Sequence, residues 1–318
     1  MKILANDGIS SSGVKKLEEA GFEVITTNVA QEQLENYINE NEISGILVRS
    51  ATTVRKELID TTPSLKLIGR GGVGMDNIDV DYAESKGLKV INTPAASSHS
   101  VAELVFSHLF SCVRFLHDSN RNMPLEGDNN FKKLKKNYSK GIELKGKTLG
   151  VIGFGRIGQE TAKIALGIGM DVVYYDKYIE STELELNFSD NKSLSFILES
   201  SSLDELIKKS DFITLHVPAQ KEYIIGKNEF NNMKDGVGII NAARGGVIDE
   251  SELIKYLDNK KVSFAGLDTF ENEPNPSVKL LMHPKISLSP HIGAATSEAQ
   301  DRIGIELADQ IINYFNNV

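Results

Sequence analysis

Three charged or titratable side chains that could act together in a reaction occur in the last quarter of the chain. Each follows a short apolar run: Arg244 in "INAARGGVID", Glu273 in "GLDTFENEP" and His291 in "SPHIGA". Such runs are typical of buried β-strands, and ligands of open α/β sheets bind at the carboxyl ends of these strands. Taken singly, each residue has an ordinary alternative as a surface cation, a loop carboxylate or a loop histidine. Together they supply the groups that hydride transfer at an oxygen-bearing carbon requires.

The three residue types fit separate tasks in that chemistry. A histidine titrates near neutral pH, so His291 can take a hydroxyl proton while hydride leaves the same carbon. A carboxylate beside the ring stabilises the imidazolium and fixes its orientation, which is the task expected of Glu273. An arginine holds a carboxylate through two parallel hydrogen bonds and polarises the reacting oxygen, which is the task expected of Arg244. We predict these three residues as the catalytic groups.

A glycine-rich turn predicts a dinucleotide site. "LGVIGFGRIGQE" places Gly153, Gly155 and Gly158 between a β-rich run and a helical pattern. There the first glycine makes the turn, the second lets the backbone approach a pyrophosphate, and the third lets helix pack on strand. The next strand ends in Asp176, which can accept both hydroxyls of an adenosine ribose and would repel a 2′-phosphate. The pattern favours NAD over NADP, although the adjacent Lys177 weakens that preference, and a glycine turn without a ligand is the ordinary alternative.

The elements that position these residues follow a βαβ rhythm. Short apolar runs alternate with amphipathic stretches from the first residues, and a second series begins at "KTLGVIG", so two largely parallel sheets are predicted. We expect helices at about 98–117 and 296–316. The polar segment 177–202 is expected to contain one short strand before the helix "LDELIKKS" and is assigned no chemistry.

Composition limits the classes of function. The 318 residues carry a formal net charge of −9, which argues against a nucleic-acid or anionic-membrane surface. The single cysteine, Cys112, excludes an intramolecular disulfide framework and is expected to pack in the interior of a cytoplasmic protein. Neither a signal peptide nor a membrane span is indicated. The histidines lack metal-ligand spacing, so no metal is expected, and His108 and His117 are placed on a helix surface or interface.

The motifs "GFGRIG", "HVP", "NAARGG", "DTFENEP" and "SPHIGA", in this order, resemble those of the D-isomer-specific 2-hydroxyacid dehydrogenase family over essentially the whole chain. The resemblance implies an α/β protein of two Rossmann-like or flavodoxin-like parallel-sheet domains, with the cofactor domain inserted into the substrate domain. It implies a substrate-binding domain at 1–97 and 291–318 and an NAD-binding domain at 98–290, with hinges near 95–99 and 288–295. It also implies a homodimer built around the inserted domain.

The resemblance assigns Arg244, Glu273 and His291 the tasks given above. It places His216 and Pro218 near the nicotinamide ribose and Asp268 near the carboxamide. Beyond the glycines and Asp176, the further residues expected to bind the cofactor are Arg156, Ile157, Val217, Ala242 and Gly293.

A second group of residues bears on the substrate. Arg49 and Ser50 follow the run "GILV", and the loop of Gly72, Val73 and Gly74 offers backbone amides that could hold a carboxylate. "VRSAT" and "GRGGVGMDNID" resemble the 3-phosphoglycerate dehydrogenases of this family, where the arginine and serine lie by the substrate phosphate. Arg49, Ser50 and Arg70 are therefore the candidate phosphate clamp, although ordinary turn residues are the alternative.

The resulting hypothesis is NAD-dependent oxidation of 3-phospho-D-glycerate to 3-phosphooxypyruvate, the first step of L-serine biosynthesis. Because the chain ends at Val318, no C-terminal regulatory domain and no serine feedback through it are expected. Glyoxylate or hydroxypyruvate reductase is the alternative within the family, while formate dehydrogenases carry glutamine at the position of Glu273. A non-enzyme alternative is an NAD-responsive, corepressor-like scaffold.

Overall fold

The computed structural model describes residues 1–316. Thirteen strands are present in this range. They are β1 (Lys2–Ala5), β2 (Glu23–Ile25), β3 (Gly45–Val48), β4 (Leu67–Arg70), β5 (Lys89–Asn92), β6 (Thr148–Ile152), β7 (Asp171–Tyr175), β8 (Ser181–Asn187), β9 (Ser193–Glu199), β10 (Phe212–Leu215), β11 (Val237–Asn241), β12 (Val262–Leu267) and β13 (Ile286–Leu288).

Helices alternate with most of these strands, as a βαβ chain requires. They are α1 (Ser11–Glu19), α2 (Leu34–Asn41), α3 (Lys56–Thr61), α4 (Val80–Ser85), α5 (Ser98–Val113), α6 (Leu116–Asn137), α7 (Arg156–Gly167), α8 (Leu203–Lys209), α9 (Lys227–Asn232), α10 (Glu250–Asp258), α11 (Val278–Leu281) and α12 (Ser297–Asn316). A short 3₁₀ turn (Gln31–Gln33) precedes α2.

The chain divides into two compact units. Unit 1 contains Met1–Ser100 and the chain from Ala294 onward, and unit 2 contains Val101–Gly293. Each limit lies three residues beyond the domain limit predicted from the sequence. The prediction of two parallel-sheet α/β domains, one interrupting the sequence of the other, is confirmed.

Unit 1 is built on a five-stranded parallel sheet of order β2-β1-β3-β4-β5. Its central strand β3 is buried at all positions, which a parallel sheet covered by helices on both faces requires. One face packs against a cluster that includes Leu34, Ile38 and Ile68, and the other against the apolar side of α12, including Ile303 and Leu307. The strand order is that of flavodoxin-like folds.

Unit 2 is built on a six-stranded parallel sheet of order β13-β12-β11-β10-β6-β7. Between β6 and β10 the chain reverses its direction of travel across the sheet, and crevices at such switch points hold ligands in doubly wound folds. One face carries a core that includes Ile213, Ile239 and Leu253, while the other is packed by α5 and α7 through residues such as Val105 and Ala162.

Three local features differ from the sequence prediction. The segment 177–202 forms two strands rather than one, because β8 and β9 pair antiparallel from Ser181↔Glu199 to Asn187↔Ser193. The helix expected at 98–117 ends at Val113, since Phe115 adopts a left-handed backbone (φ 56°), and α6 follows as a separate helix. His108 is 5% exposed and not on the surface.

Three further observations concern the cysteine, membrane-spanning helices and metal ligands. Cys112 is buried, as predicted, and burial raises the pKa of its thiol to about 12. No helix within residues 1–316 is long and apolar enough to cross a membrane. In the same residues, no group of three or more histidine, cysteine, aspartate or glutamate side chains is arranged to hold a metal ion.

Candidate active site

The residues predicted for cofactor and chemistry lie at one edge of the unit 2 sheet. All six strands are parallel, so their carboxyl ends share that edge. Across the sheet, Asp176 follows β7, the glycine turn follows β6, and His216 follows β10. Arg244, Asp268 and His291 follow β11, β12 and β13 in the same way. A regular βαβ fold therefore collects residues that are far apart in sequence.

The glycine turn has the geometry that a pyrophosphate site needs. Gly153 has φ 90°, and a Cβ there would lie 2.5 Å from the carbonyl oxygen of His216 on the neighbouring strand end. A Cβ at Gly158 would overlap the Gly153 carbonyl, so α7 can pack this closely only with glycine. Gly155, the N-cap of α7, faces open space. Backbone amides at the start of this 12-residue helix are thus available to an anion.

Asp176 is held beside the glycine turn by backbone amides. Its Oδ2 accepts a hydrogen bond from the Phe154 N–H (2.6 Å), and its Oδ1 accepts from the N–H groups of Tyr178 (2.8 Å) and Ile179 (3.1 Å). A carboxylate offers about four acceptor positions, so capacity remains for a ribose hydroxyl. The root of the β8–β9 hairpin therefore helps to fix the acid that the sequence predicted at this place.

His216 is a neutral ring rather than a proton-transfer group. Its Nε2 lies 3.2 Å from Thr161 Oγ1 and 3.1 Å from Thr214 Oγ1. Burial lowers the pKa of His216 to about 3, because a low-dielectric surrounding disfavours the imidazolium. Its Nδ1 is buried and has no hydrogen-bond partner among residues 1–316. The following Val217 is half-buried and Pro218 is exposed at the sheet edge.

Glu273 and His291 form a direct pair. Glu273 Oε2 lies 2.8 Å from His291 Nδ1, and Glu273 Oε1 accepts a hydrogen bond from the Phe270 N–H (2.9 Å). The carboxylate is thus fixed by its own loop and in turn orients the ring. Both side chains remain more than one third exposed, at 36% and 38%, so the pair is open to a ligand.

The loop that carries His291 is held by Asp268. His291 has a left-handed backbone (φ 54°), which is unfavourable for a residue with a Cβ. Asp268, 1% exposed, accepts hydrogen bonds from the N–H groups of the next two residues, Ile292 (2.8 Å) and Gly293 (2.9 Å). These contacts give Asp268 a part in shaping the histidine loop, a part that sequence reasoning did not include.

Arg244 lies on a loop that packs against the loop of Glu273. A Cβ at Gly245 would overlap the Phe270 carbonyl, so the two loops touch where only a hydrogen fits. Arg244 is half-buried, and its Nη1 donates to the Ala243 carbonyl (2.7 Å) while its own carbonyl accepts from Asn241 Nδ2 (2.8 Å). Ala242, predicted to contact the cofactor, is 9% exposed within this turn.

Two carboxylates missed by sequence reasoning join the same loops. Glu271 Oε1 accepts from the Glu250 N–H (3.1 Å), and Glu250 Oε1 accepts from the Glu271 N–H (2.8 Å). Burial, together with the nearby carboxylates of Glu271 and Glu273, raises the pKa of Glu250. Glu271 lies in the quoted segment "GLDTFENEP", and Glu250 directly follows "INAARGGVID". The sequence shows two ordinary acids there, because their partners are backbone amides of another loop.

In unit 1 the predicted substrate residues also come together. Strands β3 and β4 pair with Val48 opposite Arg70, which puts Arg49 beside Arg70 at adjacent strand ends. A Cβ at Gly71 would lie 3.5 Å from Arg49 Cγ, and one at Gly72 would overlap the Arg70 guanidinium. The Arg49 guanidinium makes no hydrogen bond or ion pair with any residue in the range 1–316.

The backbone of this region is held by side chains that sequence reasoning missed. Asp7 Oδ2 accepts hydrogen bonds from the N–H groups of Arg49 (2.6 Å) and Thr52 (3.0 Å). Asn77 Nδ2 donates to the Arg49 carbonyl (2.8 Å). Ser50 and Val73 are exposed and Gly74 is half-buried, whereas Gly72, also predicted to contact the substrate, is buried.

Comparison with known proteins fixes the family. The model of the "D-isomer specific 2-hydroxyacid dehydrogenase, NAD binding domain" matches residues 106–293. A hydroxypyruvate reductase of Thermotoga maritima is 42% identical over 316 residues, covering 98% of this chain and 97% of the relative. The chain belongs to the D-isomer-specific 2-hydroxyacid dehydrogenase family. This dehydrogenase is an oxidoreductase, as predicted, and its cofactor is NAD.

Relatives named for 3-phosphoglycerate are nearly as similar in sequence to this chain as the hydroxypyruvate reductase is. A D-3-phosphoglycerate dehydrogenase of Methanocaldococcus jannaschii is 40% identical over 98% of this chain, which spans 57% of that relative's length. The NAD⁺-bound 3-phosphoglycerate dehydrogenase of Entamoeba histolytica superposes with a TM-score of 0.77 at 28% identity, covering 100% of this chain and 96% of the other. The comparisons therefore establish the family without settling the substrate.

The geometry of the unit 2 edge matches the parts of NAD. The open space at Gly155, the amides at the start of α7 and the remaining acceptor capacity of Asp176 lie in the order that pyrophosphate and adenosine ribose require. NAD accepts a hydride at its nicotinamide when bound.

Proposed function

We propose that the dehydrogenase oxidises 3-phospho-D-glycerate to 3-phosphooxypyruvate, the entry step of L-serine biosynthesis. NAD, held by the glycine turn and Asp176, would supply the acceptor for the hydride that leaves carbon 2. His291 takes the proton of the carbon-2 hydroxyl, so the alcohol becomes a ketone. Because its Nδ1 is occupied by Glu273, Nε2 is the nitrogen that accepts this proton. The Glu273 carboxylate then stabilises the imidazolium.

Arg244 is proposed to hold the substrate carboxylate and to polarise the reacting oxygen. Its loop packs against the loop of Glu273 at Gly245, so cation and acid–base pair are carried by touching segments of unit 2. A guanidinium provides parallel donors that match a carboxylate, which fixes the hydroxy acid in one orientation. The remaining cofactor contacts are proposed as predicted, with Asp176 at the adenosine ribose.

The observation that carries the choice of substrate is the arginine pair of unit 1. Arg49 and Arg70 lie at adjacent strand ends, and the Arg49 guanidinium has no partner of its own within residues 1–316. A protein with net charge −9 needs such a local cluster to attract an anion. In this proposal Arg244 already binds the substrate carboxylate. We infer that Arg49, Ser50 and Arg70 bind a second anionic group, the phosphate.

Hydroxypyruvate reduction is the second candidate, because one observation favours it. The Thermotoga maritima reductase is 42% identical to this chain, against 40% for the M. jannaschii phosphoglycerate dehydrogenase. The same catalytic residues serve both reactions, since reduction of a 2-oxo acid is the reverse chemistry on another substrate. Only the group at carbon 3 distinguishes them.

A substrate series tests the proposal. Initial rates of NADH formation are measured with 3-phospho-D-glycerate, D-glycerate, D-lactate and formate, and rates of NADH consumption with 3-phosphooxypyruvate, hydroxypyruvate and glyoxylate. We expect kcat/KM to be at least roughly 100-fold higher for the phosphorylated acid than for D-glycerate, which corresponds to about 2.7 kcal/mol of binding to the phosphate. A preference for unphosphorylated hydroxypyruvate would assign the chain to the second candidate.

The phosphate clamp is tested with Arg49→Gln. We expect KM for the phosphorylated acid to rise roughly 30-fold, since a hydrogen bond to a charged group contributes about 1.5–3 kcal/mol, while D-glycerate is affected less than twofold. Arg55→Gln is the matched control, because Arg55 lies in the same unit and is paired with Asp79 at 2.8 Å. Equal losses for both substrates would remove Arg49 from phosphate binding.

A homodimer and a cytosolic location are also proposed. Helices α5 and α6 of unit 2 expose apolar side chains, including Phe110 (46%), Leu116 (61%), Leu125 (78%) and Phe131 (56%). Apolar patches of this kind mark protein interfaces. Sedimentation velocity should show twice the monomer mass of 34.9 kDa.

A further inference from the structure

A chain of hydrogen bonds runs from a buried histidine to the loop of His291. His108 of α5 lies with its Nε2 2.8 Å from Ser289 Oγ and its Nδ1 2.9 Å from Ser287 Oγ. Ser289 Oγ donates to Asp268 Oδ1 at 2.6 Å, and Asp268 accepts from the N–H groups of Ile292 and Gly293. The contacts thus connect a helix on one face of the sheet to the two amides that follow His291.

The direction of each hydrogen bond follows from the acceptor at the end of the chain. The Asp268 carboxylate only accepts, so the single hydroxyl hydrogen of Ser289 is used there. Ser289 Oγ must therefore accept from His108, which places the ring hydrogen on Nε2. Nδ1 then accepts from the Ser287 hydroxyl. Every group in the chain is satisfied when His108 is neutral.

The surroundings of His108 favour this neutral form. The side chain is 5% exposed, and burial lowers its pKa, although the charge of Asp268 acts in the opposite direction. The histidine also packs closely against β12, since a Cβ at Gly266 of that strand would lie 2.7 Å from His108 Cβ. The ring is accordingly fixed by packing as well as by its two hydrogen bonds.

We propose that His108 and Ser289 are positioning residues that hold Asp268 and, through it, the left-handed backbone of His291. A residue with a Cβ adopts φ 54° only when its surroundings impose it, and Asp268 supplies two of the contacts that do so here. This inference rests on the proposed role of His291 and adds a second, non-catalytic histidine to it. Neither His108 nor Ser289 touches substrate in this scheme.

The test compares His108→Met with His108→Gln. Methionine fills the site without a donor, while the glutamine amide can donate from close to the position of Nε2. We expect His108→Met to lower kcat roughly 10-fold, the scale of loss for a small displacement of a reacting group. His108→Gln should recover most of kcat. Ser289→Ala should lower kcat as His108→Met does, and the double variant should be no worse than either.

A second readout does not depend on turnover. Hydrogen exchange in the peptide spanning 289–293 should become at least roughly 10-fold faster in His108→Met, because the Ile292 and Gly293 amides lose their fixed acceptor. His283→Met is the matched control: His283 is also buried (8% exposed) but bonds to Asp258 and the Lys285 N–H, outside this chain of contacts. The control should leave kcat and exchange at 289–293 unchanged.

The outcomes separate this inference from the proposed function. Wild-type kcat and unchanged exchange in His108→Met, beside an inactive His291→Asn, would overturn the inference and leave the acid–base assignment intact. Wild-type turnover in His291→Asn would instead overturn the acid–base assignment. A loss in His108→Met equalled by His283→Met would show a general effect of destabilisation and also overturn the inference.

Discussion

The two parallel sheets of this dehydrogenase end in loops of different design. At the unit 2 edge, side chains hold the catalytic groups: Glu273 orients His291, and Asp268 holds the two amides that follow His291. At the unit 1 edge, Asp7 and Asn77 hold the backbone, while the Arg49 guanidinium bonds to nothing within residues 1–316. The first design suits proton transfer, which needs fixed geometry. The second suits capture of an anion, which needs an available charge.

This contrast makes a general prediction about kinetics. Changes to the acid–base groups of the unit 2 edge should appear mainly in kcat, because these groups act in the transition state. Changes at the unit 1 edge should appear mainly in KM, because they disturb binding that substrate and transition state share. The variants below are ordered by the size of the expected effect.

The largest effect is expected for His291→Asn. Asparagine removes the proton acceptor, so kcat should fall by about 10²- to 10⁴-fold, the usual contribution of general acid–base catalysis. KM should change less than threefold. Steady-state kinetics with the preferred hydroxy acid measures both constants. A variant that turns over at the wild-type rate would contradict the role given to His291.

The next largest effect is expected in the glycine turn, where Gly155→Ala is compared with Gly158→Ala. Gly155→Ala should fold with an unchanged Tm, because the added Cβ meets nothing within 4 Å, yet it should weaken NAD binding by at least roughly 10-fold by occupying the approach of the pyrophosphate. Gly158→Ala should instead lower Tm, since its Cβ overlaps the Gly153 carbonyl. Calorimetric titration and thermal unfolding distinguish them. Unchanged NAD affinity in Gly155→Ala would place the cofactor elsewhere.

A smaller effect is expected when the unit 1 backbone is released. Asp7→Ala removes the acceptor of the Arg49 and Thr52 N–H groups, so KM should rise roughly fivefold while kcat stays within twofold. Asp60→Ala is the control, because Asp60 is a surface carboxylate of the same unit paired with Lys86. A fall in kcat with constant KM would break the contrast between the two edges.

The smallest effect concerns stability. The pKa of Glu250 is raised in the folded protein, so ionising this group costs more when folded than when unfolded. That cost is present above the folded pKa and diminishes as pH falls through it towards the unfolded value. Glu250→Gln keeps an acceptor for the Glu271 N–H and removes the charge. We expect Tm to rise by about 2–4 °C at pH 8, with the gain vanishing near pH 4. Thermal unfolding across pH checks this, and a gain that grows at low pH would contradict it.

Much of the fold and of the candidate site could be predicted from the sequence because their signals are local. Alternating apolar runs and helical stretches indicated two parallel sheets, and the glycine turn followed a strand and opened a helix. Arg244, Glu273 and His291 could be placed at one sheet edge because parallel strands share that edge.

What could not be predicted depends on partners distant in sequence. His108 lies in an apolar helix and was predicted on a helix surface or interface. Its buried ring bonds to Ser287 of β13 and to Ser289 of the following loop, which are 179 and 181 residues away. The sequence did not predict the pairing of Glu250 with Glu271, because each carboxylate accepts a hydrogen bond from a backbone N–H of the other residue's loop. The β8–β9 hairpin was missed because its outer face is polar and its turn, near Asn191, lacks glycine and proline.

The sequence by itself determined which groups are available: a glycine turn, an acid after the next strand, an arginine, a glutamate and a histidine after successive strands. Their order along the chain is enough to place them on one edge, since βαβ connections keep the strands parallel. Only the tertiary structure decided how they are held. The 2.8 Å contact of Glu273 with His291, the left-handed backbone at His291 and the buried ring of His108 depend on hydrogen bonds between loops, which no local pattern encodes.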